Sequence, residues 1–256
     1  MDRHDDQTPA GDGREHTSWR LARAAMAQTH ADPSLSGLAA GLQRVCRAAT
    51  SSLGLLGAVV HLITGEREAL VASSDEASRR LGELPFEVGE GPCLEAFALA
   101  RPILVPDLML MGPPRWPGYL SAVDGHGLRA SYSFPLLVGA VRLGVLDLYG
   151  ASPRSLTPTE VSLALVFARV AIETLLDGSD GSSVALLDDP QVGVMHGRLE
   201  IYQAQGMVKV DLGVDLAEAL ALMRAHAFGP AASVPRLVPL SCVPPKYVCP
   251  FGYGSP

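Results

Sequence analysis

The chain is poor in lysine, aromatics and cysteine, and it has no long apolar run. Lys209 and Lys246 are the only lysines in 256 residues, and 27 Asp and Glu outweigh 20 Lys and Arg to give a net charge of −7. No overall field therefore draws the chain to nucleic acid or to an anionic membrane, so any such binding must come from a local surface. Arginine in place of lysine, beside abundant alanine and leucine, points to a GC-rich source and says nothing about activity. No stretch nears the ~18 uninterrupted apolar residues of a membrane span, so no membrane partner is expected. The first residues are polar and acidic, without the apolar core of a secretory leader, which makes the cytoplasm the expected compartment. Hydrophobic residues make up 48% of the chain, enough for a packed core and too many for wholesale disorder.

Catalytic and metal motifs are missing as well. Cys46, Cys93, Cys242 and Cys249 form no C-x-x-C pair, and no histidine follows at ligand spacing, so neither a disulfide framework nor a metal site is expected. Gly37-Leu-Ala-Ala-Gly41 lacks the Lys-Ser/Thr of a phosphate loop. There is no HExxH, no GxSxG and no paired-carboxylate arrangement. The expectation is a protein that is not an enzyme and carries no cofactor.

What is present divides the chain into five parts. Residues 1–16 read as a charged, disordered tail, and 17–177 as the main domain. Residues 178–190 form a linker by composition, 191–228 a helical hairpin, and 229–256 an irregular Pro/Gly-rich tail. Within the main domain, Asp32-Pro33 reads as a cap and first helical residue, opening a helix through Leu35, Leu38, Leu42, Val45 and Cys46. Apolar strands are expected from Leu55 to Ile63, Glu68 to Ser73, Ile103 to Val105, Ser131 to Val138 and Val141 to Tyr149. Short helices are expected after Gly91-Pro92 and from Tyr119 to Gly125. Gly139-Ala140 suits a type II′ hairpin. Thr157-Pro158-Thr159-Glu160 carries the cap, Pro and reciprocal glutamate of a helix start, and that helix is expected to reach Leu176. Strands joined by both hairpins and helices describe an α+β fold around a mainly antiparallel sheet.

The hairpin has its own pattern. Ile201, Ala204, Val208 and Leu212 make one apolar stripe, and Leu199, Tyr202 and Val210 a second. Gly213 closes the helix and Asp215 restarts it, with Glu218 three residues on. Leu216, Ala219, Leu220 and Met223 face inward on the second helix. Two helices this short bury little, so they need a third element or a partner. On pattern alone, a dimerising or packing hairpin is a better reading than a binding module.

Two resemblances sharpen these readings. Gly89-Glu-Gly-Pro-Cys-Leu-Glu-Ala96, Pro102-Ile-Leu-Val-Pro-Asp-Leu108, Ser133-Phe-Pro-Leu136 and Leu143-Gly-Val-Leu-Asp-Leu-Tyr149 resemble a GAF domain over about 140 residues. Tyr202-Gln-Ala-Gln-Gly-Met-Val208, Leu212-Gly-Val214, Glu218-Ala-Leu220 and Arg224-Ala-His-Ala-Phe228 resemble the first two helices of an ANTAR transcription-antitermination module. The GAF resemblance implies a sensor or dimerisation domain, with a ligand pocket over one sheet face between about Pro85 and Arg129, and a homodimer. Cys93, Trp116, Tyr119 and His126 are its pocket candidates, for an effector that the residues do not name. Trp116 and Tyr119 better suit a simple cover over the sheet, and His126 between two glycines better suits a solvated turn. Neither a bilin-attachment cysteine with a neighbouring histidine nor a cyclic-nucleotide signature is present.

Cys93 has a sharper alternative. At the start of a helix its thiol is placed for a lowered pKa, and free-methionine sulfoxide reductases, a GAF-type family, use cysteines catalytically. Against a redox sensor or thiol reductase stand Glu90 and Glu95, and the lack of a resolving partner other than Cys46, so a structural cysteine is the favoured reading.

The ANTAR resemblance implies binding to paired stem-loops in leader RNA. Arg198, Tyr202, Lys209, Arg224 and His226 are the candidate RNA contacts, opposed by Glu200, Asp211, Asp215 and Glu218. The family's third helix does not follow. Pro230, Pro235, Pro239, Pro244, Pro245 and Pro250 come instead, and each costs about 3 kcal/mol inside a helix. The abrupt change suggests a reading-frame shift near codon 229. Translating the neighbouring frames is expected to restore an Ala/Val-rich helical stretch, and their failure to do so would remove the idea.

Overall fold

The computed structural model describes residues 12–64, 67–112, 114–177 and 196–228. They belong to two compact units, one ending before His196 and one beginning there. In the first, the elements run α1 (Asp12–Gln28), α2 (Gly37–Leu53), β1 (Gly57–Thr64), β2 (Arg67–Ser73), α3 (Glu76–Val88), α4 (Pro92–Leu99), β3 (Ile103–Val105), α5 (Leu108–Met111), α6 (Pro117–Val123), β4 (Ala130–Val138), β5 (Val141–Gly150) and α7 (Pro158–Asp177). The strands form one antiparallel sheet in the order β2-β1-β5-β4-β3, the α+β architecture expected from the sequence.

Alternation along the strands explains the layering. Ala58, Val60, Leu62, Tyr132, Phe134, Leu136, Leu146 and Leu148 point to one face and pack with Leu42, Val45 and Cys46 of α2 and with Leu163, Phe167 and Ala171 of α7. Each large apolar side chain buried there contributes about 1.5–3 kcal/mol. Val59, Ile63, Leu70, Val145 and Tyr149 point the other way, under Phe86 of α3, Cys93 and Ala96 of α4, Leu108 of α5, and Trp116 and Tyr119 at α6. A register shift between β1 and β2 at Val60/His61 places Val71 and Ala72 together in the first cluster, as an extra strand residue does. Pro135 sits beyond Ser133, where the ladder with β3 stops, so its missing N–H removes no bond to that strand.

Local chemistry matches several expectations. Thr157 and Glu160 form the reciprocal cap: the Glu160 N–H donates to Thr157 Oγ1 at 3.3 Å, and the Thr157 N–H to Glu160 Oε2 at 2.8 Å. Gly139 has φ +59°, and Ala140 keeps an ordinary negative φ, as a type II′ turn requires.

Two expectations are corrected, and α3 is an element the sequence reading did not contain. Asp32-Pro33 does not open a helix, because the Asp32 carboxylate accepts from the Ser34 N–H (2.9 Å) and Oγ (2.6 Å) and closes a local turn. The helix begins at Gly37. Secondly, α1 starts at Asp12, inside the stretch read as a disordered tail, and buries Ser18 and Ala22. Gly82 and Pro85 interrupt the apolar pattern of α3, yet Asp75 caps it by accepting from the Ser78 N–H at 2.8 Å.

The second unit holds α8 (His196–Leu212) and α9 (Leu216–Phe228). Asp215 Oδ1 accepts from the Glu218 N–H at 2.8 Å, the restart that the sequence predicts. Among its described side chains only Gln205 and Ala219 are buried. Val210 is 79% exposed, so the second apolar stripe is not buried at that position. The sequence's linker and its Pro/Gly-rich tail lie outside the described residues.

Gly144 fixes the centre of the sheet. A Cβ there would lie 1.8 Å from the carbonyl oxygen of His61, so β1 and β5 can meet only without a side chain at this position. Gly144→Ala is expected to destabilise the protein by about 3 kcal/mol or more. The midpoint of urea denaturation measures it.

Candidate functional site

The face of the sheet under α3, α4 and α6 is not purely apolar. His61 on β1, Asp147 on β5 and Ser131 and Ser133 on β4 point into it, and all are buried. Ser133 stands directly across from Asp147 in the β4–β5 ladder, and its Oγ–H donates to Asp147 Oδ1 at 2.5 Å. His61 is placed diagonally, since β5 presents Val145 to His61 and Asp147 to Val59. Its Nε2 lies 3.4 Å from Asp147 Oδ2, but the two are not aligned for a hydrogen bond. Both ring nitrogens of His61, Asp147 Oδ2 and the Tyr149 hydroxyl are buried without a hydrogen-bond partner. Leaving such groups unmade costs about 1–3 kcal/mol each and more for a charged one, so their grouping on one face calls for a reason.

The cover is built from α3, α4 and α6. Phe86 sets its ring 4.7 Å from that of His61. Tyr119 is 1% exposed, and its N–H donates to Glu90 Oε1 at 2.9 Å. Trp116 is buried and carries the Arg115 guanidinium 4.2 Å above its ring, while Arg115 also pairs with Glu95 of α4. That pairing ties the approach to α6 onto α4.

Cys93 is buried at the start of α4. Burial pushes its thiol well above the ordinary range, and the charges of Asp147 and Glu68 push it further. The lowered pKa that a helix start suggests is therefore overturned: desolvation and two carboxylates outweigh the helix dipole. Burial likewise raises the Tyr119 hydroxyl, with added pressure from Cys93 and Asp147. Tyr149 is raised by burial and then by Asp147. Cys46, the sole candidate resolving partner in this domain, belongs to the core on the opposite face.

Of the sequence-derived pocket candidates, Cys93, Trp116 and Tyr119 come together in one cluster and His126 does not. His126 is exposed in the turn after α6 and lines a shallow surface cavity of about 160 Å³ with Leu56, Ala77, Ser78, Arg80 and Leu81. Sequence reasoning missed His61, Asp147, Ser133 and Tyr149. Their signal was a lone histidine in Val59-Val-His-Leu-Ile63 and a lone aspartate in Val145-Leu-Asp-Leu148, polar side chains within otherwise apolar strand runs. No group of three or more His, Cys, Asp or Glu suited to a metal occurs among the described residues.

The RNA-contact candidates sit on α8 and α9. Lys209 and His226 are exposed and Arg224 is half-buried, whereas the side chains of Arg198 and Tyr202 lie outside the described residues. No helix among the described residues is long and apolar enough to cross a membrane.

The sequence profile of a family described as GAF domain matches residues 36–172, more than half of the chain. A comparison with curated proteins finds no match. Solved structures of similar fold include the GAF domain of an Acinetobacter phosphoenolpyruvate-protein phosphotransferase, at 12% identity and TM-score 0.49, covering 68% of this chain and 98% of that one. A domain of a Sinorhizobium meliloti 1021 two-component sensor histidine kinase matches at 20% identity and TM-score 0.42, over 54% of this chain and 89% of that one. Free methionine-R-sulfoxide reductase from Neisseria meningitidis, solved with its substrate, matches at 14% identity and TM-score 0.46, over 69% and 98%. None of these likenesses carries chemistry over to this chain.

With both thiol pKa values raised, the folded protein keeps Cys46 and Cys93 protonated at neutral pH. Iodoacetamide at about pH 8 is expected to leave both unlabelled in the native protein and to label both in urea, as peptide mapping would read. Above about pH 8.5–10, where an unfolded chain ionises Cys and Tyr freely, stability is expected to fall.

Proposed function

The chain belongs to the GAF-domain family of signalling and sensory modules, and from that premise we propose a regulator whose sensor is the buried polar face of β1, β4 and β5. One observation carries the reading: His61, Asp147 and Tyr149 converge with unpartnered polar atoms beneath a cover of α3, α4 and α6. A small effector that supplies those partners stabilises its bound form by mass action, and the cover is the element such binding moves.

The output of this regulator is the α8–α9 pair, acting as an ANTAR-like module that binds stem-loop leader RNA in transcription antitermination. Its support is the sequence resemblance together with the Asp215-capped start of α9 and the exposure of Lys209 and His226. The protein acts in the cytoplasm as a homodimer, for which Leu21 on α1 and Leu165 and Leu176 on α7 offer exposed apolar side chains. A non-catalytic role fits the protonated, buried Cys93.

A second reading keeps the sensor and discards the output. Met207, Val210 and Leu222 are exposed on α8 and α9, so the pair encloses little core among its described side chains.

Fluorescence anisotropy of the full chain with a twin stem-loop RNA and a loop-scrambled control separates the two. Binding that survives moderate salt and discriminates the control is the result expected of a working output. Equal, salt-labile or absent binding leaves the sensor alone.

A further inference from the structure

Asp147 puts a carboxylate inside the protein with no basic side chain beside it except the imidazole of His61, among the described residues. Its Oδ1 holds the Ser133 hydroxyl, and its Oδ2 makes no hydrogen bond, with His61 Nε2 3.4 Å away and not aligned to donate. The arginines on and around the covering elements are engaged elsewhere: Arg79 with Glu76 and Glu83, Arg80 with Glu76, Arg115 with Glu95, Arg129 with Asp107, and Arg142 with the carbonyls of Phe97 and Ala98. A buried carboxylate left without compensation is costly, and a ligand that brings the opposite charge removes that cost.

We propose that the effector of this face is a small organic cation, an alkylammonium, amidinium or guanidinium group on a compact apolar body, held by Asp147, Tyr149 and His61. The proposal rests on the sensory reading above. Asp147 Oδ2, the Tyr149 hydroxyl oxygen and one His61 nitrogen are acceptors waiting for N–H donors. An anionic effector would meet Asp147 at close range, and Glu68 and Glu90 stand on the same side, Glu90 already accepting from Tyr119. A neutral donor would fill the hydrogen bonds and leave the charge unbalanced. Phe86 and Tyr119 belong to the same cluster, the Phe86 ring 4.7 Å from that of His61, and aromatic rings attract cations. The site is closed to solvent, which limits the ligand to a compact one and requires the cover to open on entry.

The test uses the full chain with n-butylammonium chloride, n-butylguanidinium chloride, 1-butanol and sodium butyrate as probes. Thermal midpoint and titration calorimetry are read for wild type, Asp147→Asn and Tyr149→Phe. Expected is a midpoint that climbs with the logarithm of either cation's concentration, no response to butanol or butyrate, and at least a tenfold weaker cation affinity in Asp147→Asn. The amide oxygen of that variant can still accept the Ser133 hydroxyl, and circular dichroism checks its fold. Should it not fold, Tyr149→Phe, which removes only the hydroxyl, is expected to weaken the cations several-fold. Undiminished cation binding by the folded variants overturns the proposal. A response to butyrate or butanol that depends on Tyr149 overturns the cation class and leaves the sensory reading standing. No response to any probe also overturns the class. An imidazolium ¹⁵N signature for His61 in the ligand-free protein shows the charge balanced internally, and the sensory reading falls with it.

Discussion

Leu62 pairs with Gly144 across the two central strands, and the missing side chain at Gly144 lets the backbones of β1 and β5 meet. Everything else depends on that register. A slip of one residue would turn His61 and Asp147 into the apolar core beneath α2 and α7, and bring Leu62 and Leu146 to the face under α6. In the first location Asp147 would lose the Ser133 hydroxyl that it accepts on its own face, so that hydrogen bond favours the native register alongside hydrophobic area.

Two faces of one sheet thus do different work. The face under α1, α2 and α7 is filled by aliphatic and aromatic side chains that interdigitate, and it supplies the stability. The opposite face carries a row of polar groups among its apolar ones, and its cover adds polar ties to its apolar packing: the Glu90 carboxylate under α6, and the Arg115 bridge to Glu95. Stability on one side permits unsatisfied chemistry on the other. Desolvation there is strong enough to reverse the effect of a helix start on Cys93.

The sheet was legible because its strands are bounded by unmistakable turn residues, Gly139 and the Pro106-Asp107 step among them. The capping box at Thr157 and Glu160 was legible for the same reason: both partners lie within three residues. α3 was not, since a glycine that lets the helix approach Leu70 and Val59 reads in one dimension as a breaker. Asp32 read as a cap because Pro33 follows it, while its carboxylate in fact serves Ser34. Half of the site was legible in outline, through Cys93, Trp116 and Tyr119. The other half was hidden because His61 and Asp147 lie 86 positions apart in apolar strands.

By itself the sequence determined the strand order, several of the helices, a main domain followed by a helical pair, and the family, because those depend on local periodicity, caps and short phrases. Tertiary structure alone decided that the Cys93 thiol is raised by burial rather than lowered by its helix start, and that His61, Asp147, Ser133 and Tyr149 share one face. Burial and cross-strand register set those outcomes, and both are properties of how distant segments meet.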